Sequence, residues 1–210
     1  RAPAARLPGW CPALGQTGNA QSHLRYMGIG PGDIFLFFGW FREAELNHGT
    51  WRYVPGAPDL HVLFGWLEIG KILPVALKRD ACLMRFPWIA DHPHVATPDD
   101  YADMRNTLYV AKKNSALSPT ALYGGGRFER YSDSLQLTRP GCSRSNWSLP
   151  SWFLPNSRPP LTYNPRPDQW HLDGARVRLR SAAKGQEFVL DSADYPEARE
   201  WVASIVRNNT

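Results

Sequence analysis

Asp33-Ile-Phe-Leu-Phe-Phe-Gly-Trp-Phe-Arg42 is echoed further along the chain by Leu60-His-Val-Leu-Phe-Gly-Trp-Leu-Glu-Ile69. Runs this rich in aromatic and β-branched residues read as buried strands. Glycine inside a strand is costly and marks a bulge or the close approach of another backbone or a ligand. Matching Gly-Trp dipeptides therefore suggest a paired centre holding the indoles of Trp40 and Trp66. Two readings stay open: a sheet core filled by two large side chains, or an aromatic site that faces a ligand.

Working outward, Thr107-Leu-Tyr-Val-Ala111 reads as a further strand. Arg176-Val-Arg-Leu-Arg180 alternates strictly, as a half-exposed strand does. Shorter strands are expected at Trp51–Val54, Leu135–Thr138 and Gln186–Leu190. A Gly-rich turn runs into a polar helix after Gly15, with Thr17 or Asn19 as its N-cap. A short helix is expected near Pro98–Met104. The stretch 139–170 reads as a long irregular segment, of the kind that is usually functional or mobile. The ending is the clearest helix: Asp194 caps it, Pro196 lies in its first turn, and Ala198, Trp201, Val202, Ile205 and Val206 share one face. The expected class is α+β: a β-rich mixed sheet or barrel-like core, short flanking helices and a C-terminal amphipathic helix. One domain is expected over residues 1–210.

With 210 residues, 19 prolines and 17 glycines, the chain has room for one substantial core but little long helix. Nine tryptophans are many for that length, and Trp is favoured where flat surfaces are gripped. The formal charge of +5 suits a polyanionic partner without requiring one. Cys11, Cys82 and Cys142 are odd in number and far apart, so they form neither a disulfide framework nor a zinc-finger spacing, and a cytoplasmic, reducing setting is expected. The sequence has no apolar run of about 18 residues, so no membrane-crossing helix and no membrane partner are expected. The Arg-rich opening lacks the apolar stretch of a signal peptide, and it lacks Met, so the chain reads as a processed or truncated piece.

Five groups of residues carry potential chemistry. Gly15-Gln-Thr-Gly-Asn-Ala-Gln-Ser-His-Leu24 packs Gln16, Asn19 and Gln21 beside His23. Amides both donate and accept, which equips them to read a base edge, and the glycines would let backbone N–H groups approach a phosphate. It is not a Walker motif, and a plain capped helix is the alternative. Asp91-His-Pro-His94 sets His92 and His94 on one side of an extended segment. A metal there would need His61, Asp91 or Asp99 as a third ligand; no metal or other cofactor is expected, and acid/base or hydrogen-bonding duty competes with a structural role. Arg176, Arg178 and Arg180 would stand about 6.6–6.8 Å apart on one strand face. They would track a phosphate backbone or simply guard a solvated edge. Arg139 and Arg144 alternate with Trp147 and Trp152 among hydroxyls, the parts of a grip on a single strand or flipped base. Gln186 and Glu187 sit at the mouth of an expected strand. A carboxylate there, or Glu68 after the second Gly-Trp, suits acid/base work if held in apolar surroundings. No Ser-His-Asp order or GxSxG elbow is present.

Six blocks together resemble the third nucleotide-modification-associated domain family: Gly15–Leu24, Gly32–Arg42, Leu60–Gly70, Asp91–Val95, Asn106–Ala111 and Gly185–Asp191. The similarity runs from about residue 10 to about residue 205. It implies a place in systems that modify DNA bases or attack phage DNA carrying them. The resemblance implies a further N-terminal segment with a Lys-Gly-Phe-Asp-like stretch, so a catalytic acid would lie upstream of Arg1 if that segment supplies it. The expected function is DNA binding with capture of a modified base in an aromatic pocket, in its enzymatic version as a glycosylase in phage defence. In that scheme Gln16, Asn19, Gln21, Trp40, Trp66, His92, His94 and Gln186 meet the base. Arg139, Arg144, Trp147, Arg176, Arg178 and Arg180 hold the strand, and Glu187, Glu68 and His23 carry the chemistry. A reader without chemistry and an enzyme for free nucleotides are the rivals.

Overall fold

The structure is a computed structural model and describes residues 6–97, 102–118, 122–181 and 187–210. In chain order its strands and α-helices are β1 (Ala13–Gln16), α1 (Gly18–Tyr26), β2 (Ile34–Phe41), β3 (Ala44–Asn47), β4 (Thr50–Tyr53), β5 (Leu60–Leu73), α2 (Val75–Arg85), α3 (Pro93–Ala96), β6 (Thr107–Ala111), β7 (Gly125–Arg127), β8 (Asn146–Pro150), β9 (Trp170–Asp173), β10 (Arg176–Arg180) and α4 (Glu197–Asn209). This is the α+β, β-rich class expected, with short helices and a C-terminal amphipathic helix. The largest sheet has the order β1-β6-β5-β2, with β7 also on β5. A three-stranded sheet has the order β8-β10-β9, and β3 and β4 make a hairpin. No described helix is long and apolar enough to cross a membrane.

The chain divides into two compact units. The first comprises Arg1–Phe35 and Trp66–Gly126, the second Leu36–Gly65 and Arg127–Thr210. β2 and β5, the two strands of the opening motif, each contribute to both units. The core of the first unit is apolar: Cys11, Leu73, Val75, Cys82, Trp88, Ile89, Val95, Leu108 and Val110. β6 is buried along its whole length, as its unbroken apolar run requires. In the second unit β10 buries Val177 and Leu179 and turns Arg176 and Arg180 outward, following its alternation. Ile205 and Val206 of α4 are buried, and Trp201 meets Phe153 edge-on at 5.3 Å.

Local differences have local causes. α4 starts at Glu197, with Pro196 in the cap position, later than Asp194. Leu135–Thr138 is no strand: a 3₁₀ turn over Asp133–Leu135 leads into two single bridges, Val62 to Gln136 and Thr138 to Trp147. Residues 187–190 form no strand either; Val189 exchanges bonds with the backbone N–H and the hydroxyl of Thr162. The segment 139–170 carries β8 and is not irregular throughout. Part of the expected helix at Pro98–Met104 lies outside the described residues, and residues 102–104 are not helical. All three cysteines are free.

Candidate functional site

β2 emerges at Trp40 into solvent, and the residues after it build a ladder in the second unit. Trp40 is 63% exposed. The guanidinium of Arg144 lies over its ring, 4.1 Å from the centroid. The Trp40 side chain, and then Arg42 beside it, hold the Asp59 carboxyl below its ordinary range. Arg42 reaches Asp59 at 2.7 Å and lies over Tyr53 at 5.3 Å. Arg42 thus connects Tyr53 to Asp59, and Trp40 adjoins the same carboxylate with Arg144 over its ring. An exposed indole with a cation on its surface presents its ring for stacking.

Behind it lies a buried aromatic cluster. Phe38 meets His61 and Trp147, each at 5.2 Å, and stacks on Phe188 at 5.9 Å. Trp147 Nε1–H donates to His61 Nδ1 at 2.9 Å. That bond fixes the imidazole with its other nitrogen protonated. Burial, and then the positive charge of Arg144, push the His61 pKa down to about 4. The backbone holds Arg144 in place: Thr138 Oγ1 donates to the Arg144 carbonyl at 2.8 Å and accepts from the His61 N–H at 2.7 Å.

The two Gly-Trp copies have opposite environments. Trp66, in the first unit, is 2% exposed, and its Nε1–H finds no acceptor among the described residues. A Cβ on Gly39 would come within 3.1 Å of Phe41 and 3.4 Å of Phe64, so this glycine makes room for neighbouring rings. Trp147, expected to grip the DNA strand, is buried and engaged with His61, which corrects that expectation.

The amide and histidine residues fall in the first unit. Gln21 is buried and accepts from Tyr109 Oη at 3.0 Å. Gln16 and His23 are half-buried, and Asn19 is exposed. His94 Nδ1 bonds Asn106 Oδ1 at 2.7 Å, and the His94 N–H donates to His92 Nδ1 at 3.2 Å. Burial, then the neighbouring His94, lower the His92 pKa. Gly15 lies against His94: a Cβ there would sit 2.3 Å from the ring. Thr17 occupies the N-cap of α1 without a side-chain cap bond. Near the Gly18 N–H stands Asp103, which Arg105 clamps at 2.7 Å and holds down to about 2. The start of α1 therefore faces a carboxylate, contrary to the expected approach of a phosphate.

Glu68 does not sit in an apolar pocket. It pairs with Lys112 Nζ at 2.7 Å and accepts from the Ser115 hydroxyl. Glu187 is half-buried in the second unit, next to Phe188 of the aromatic cluster. Gln186 and Asp99 lie outside the described residues. Arg139 pairs with Asp173 at 2.8 Å and Arg180 with Asp168 at 3.0 Å. Arg176 bonds Ser148, and Arg178 is half-buried on the same strand. Among the described residues, no group of three or more His, Cys, Asp or Glu stands ready to hold a metal.

Sequence reading missed Arg42, Asp59, Phe38 and Phe188, and it weighed His61 only as a third metal ligand. These residues come from separate stretches of chain and share no spacing. Only the aromatic richness around Trp40 pointed toward them.

No curated protein and no solved structure matches the chain. The family model of nucleotide modification associated domain 3 matches residues 2–191, which takes in the lead-in before residue 10 and stops short of α4. The chain belongs to the nucleotide modification associated domain 3 family.

Proposed function

We propose that this domain binds DNA and takes a modified nucleobase onto Trp40, with Arg144 as the contact to phosphate. The observation that carries the reading is the Arg144 guanidinium 4.1 Å above an indole that is 63% exposed. A base has a π-face whatever its sequence, so an open indole receives it, and a guanidinium alongside neutralises the strand. Arg144 has no carboxylate within ion-pair distance among the described residues, whereas Arg139 and Arg180 have theirs. The family's association with nucleotide modification supports the choice of a modified base.

The enzymatic version is hydrolysis of the N-glycosidic bond, with water adding to the sugar carbon and the base leaving with a proton. Glu187 is the acid/base under this reading, supported by its place beside Phe188. A reader without chemistry is favoured by Glu68, whose carboxylate is already engaged by Lys112 and Ser115.

The test is incubation with phage DNA carrying modified cytosines and with unmodified DNA, measuring binding by anisotropy and released small molecules by mass spectrometry. Binding should weaken as salt rises, and Trp40→Ala and Arg144→Ala should each weaken it about tenfold. Free base released only from modified DNA establishes the glycosylase. Binding without release leaves the reader. Absence of binding even at low salt removes the proposal.

A further inference from the structure

The β3–β4 hairpin is built more rigidly than a loop, and it is not covered. β3 and β4 pair antiparallel, with Leu46 opposite Trp51 and Ala44 opposite Tyr53. The two linking residues, His48 and Gly49, both have positive φ, 47° and 79°, the tight geometry that matches the twist of a two-stranded ribbon. Arg52 and Glu45 tie the strands together at 2.7 Å. A ribbon pinned in this way would ordinarily turn polar side chains to water. Here Trp51 is 71% exposed and Tyr53 65% exposed.

Trp51 and Tyr53 are two residues apart on one strand, so they stand on the same face about 6.6–6.8 Å apart. Arg42 lies over Tyr53 and pairs with Asp59, the carboxylate that the Trp40 side chain also adjoins. The three open rings therefore form one track, with the Arg144 cation at its far end. In a duplex the base faces are stacked on one another and cannot reach such rings. An unpaired strand offers one π-face per nucleotide, and successive aromatics with interleaved arginines are how proteins hold it.

We infer that the hairpin and Trp40 together form a binding track for single-stranded DNA, of which Trp51 and Tyr53 hold the nucleotides flanking the one at Trp40. This rests on the DNA reading above and narrows it: the substrate is an unpaired strand several nucleotides long, in place of a duplex or a free nucleotide. The charge pattern agrees. Arg42 and Arg52 are spent on Asp59 and Glu45 within the ladder and ribbon, so the hairpin contributes stacking surface more than net charge.

The test compares binding of a single-stranded 12-mer, the same sequence as a duplex and a mononucleotide, by anisotropy and tryptophan quenching. The proteins are the unaltered chain, Trp40→Ala and the double variant Trp51→Ala/Tyr53→Ala. All three rings are solvent-exposed, and thermal melts matching the unaltered chain confirm the variants fold. The expected result is a single-strand preference of tenfold or more, which the double variant loses while its residual duplex affinity stays unchanged. Equal or tighter binding of the duplex, or a double variant that keeps the preference, overturns the track and leaves the DNA reading standing. Mononucleotide binding as tight as the 12-mer also overturns it. If neither DNA form binds, both the track and the DNA reading fail.

Discussion

His61 shows how one side chain joins packing to the candidate site. Its Nδ1 accepts the Trp147 indole N–H, which requires a lone pair there and therefore a neutral ring. Protonation would orphan a buried N–H and place a cation beside Arg144. Burial of the ring is the main reason that the pKa falls from 6.5 in the unfolded chain to about 4 in the fold, and the positive charge of Arg144 adds to it. Between those values the unfolded chain binds more protons, so stability rises with pH across this window. The contribution is fully present above pH 6.5 and is lost as pH falls through about 4. Its size is about 3 kcal/mol, with His92 adding in the same direction. Urea unfolding at pH 7.5 and pH 5 should show the loss. His61→Gln should lower stability at pH 7.5 and flatten the dependence. An unchanged pH profile in that variant would place the effect elsewhere.

At the scale of the element, what was legible was what periodicity records. β10 alternates and is half-buried, β6 is fully buried, and of the expected α4 face Ile205 and Val206 are buried while Ala198, Trp201 and Val202 are half-buried. Partners brought in from a distance were not legible. Gly15 read as part of a loop that approaches phosphate. In the fold the glycine is there because the His94 ring, anchored by Asn106, occupies the space of a Cβ. No pattern within Gly15–Leu24 could announce a histidine from α3. Gly15→Ala therefore forces either the β1 backbone or the His94–Asn106 bond to move. The expected cost is about 1–3 kcal/mol, the usual range for overpacking. Gly18→Ala is also strained, but for a different reason: its φ is +61° with open space beyond. A second change that shrinks the ring, His94→Ala, should recover much of the loss in Gly15→Ala and none in Gly18→Ala. Thermal melts of the four variants read this directly, and equal rescue of both would refute the contact as the cause.

For the whole molecule, the sequence offered two carboxylates for one role, and the fold puts them in different chemistry. Glu68 belongs to the first unit, where Gly124, Ser115 and Lys112 converge on it: its own N–H donates to the Gly124 carbonyl at 2.7 Å, and its carbonyl accepts from the Lys112 N–H at 2.8 Å. Backbone and side chain alike are committed there, which is the profile of a structural anchor. Glu187 belongs to the second unit, which also holds Trp40, Arg144 and the hairpin. The residues suited to gripping a strand are thus concentrated in one unit, while Gln16, Asn19, Gln21, His92 and His94, expected to read a base, lie in the other. This separation yields a sharp contrast between conservative variants. Glu68→Gln keeps the volume but loses the ion pair, whose Lys112 end is half in water, so the expected loss is about 1–2 kcal/mol with DNA binding intact. Glu187→Gln should melt close to the unaltered chain and bind DNA normally, and base release, if the domain performs it, should disappear. A Glu68→Gln protein of undiminished stability that no longer releases base would transfer the acid/base role to the first unit. Loss of DNA binding in Glu187→Gln would instead make that carboxylate part of the grip.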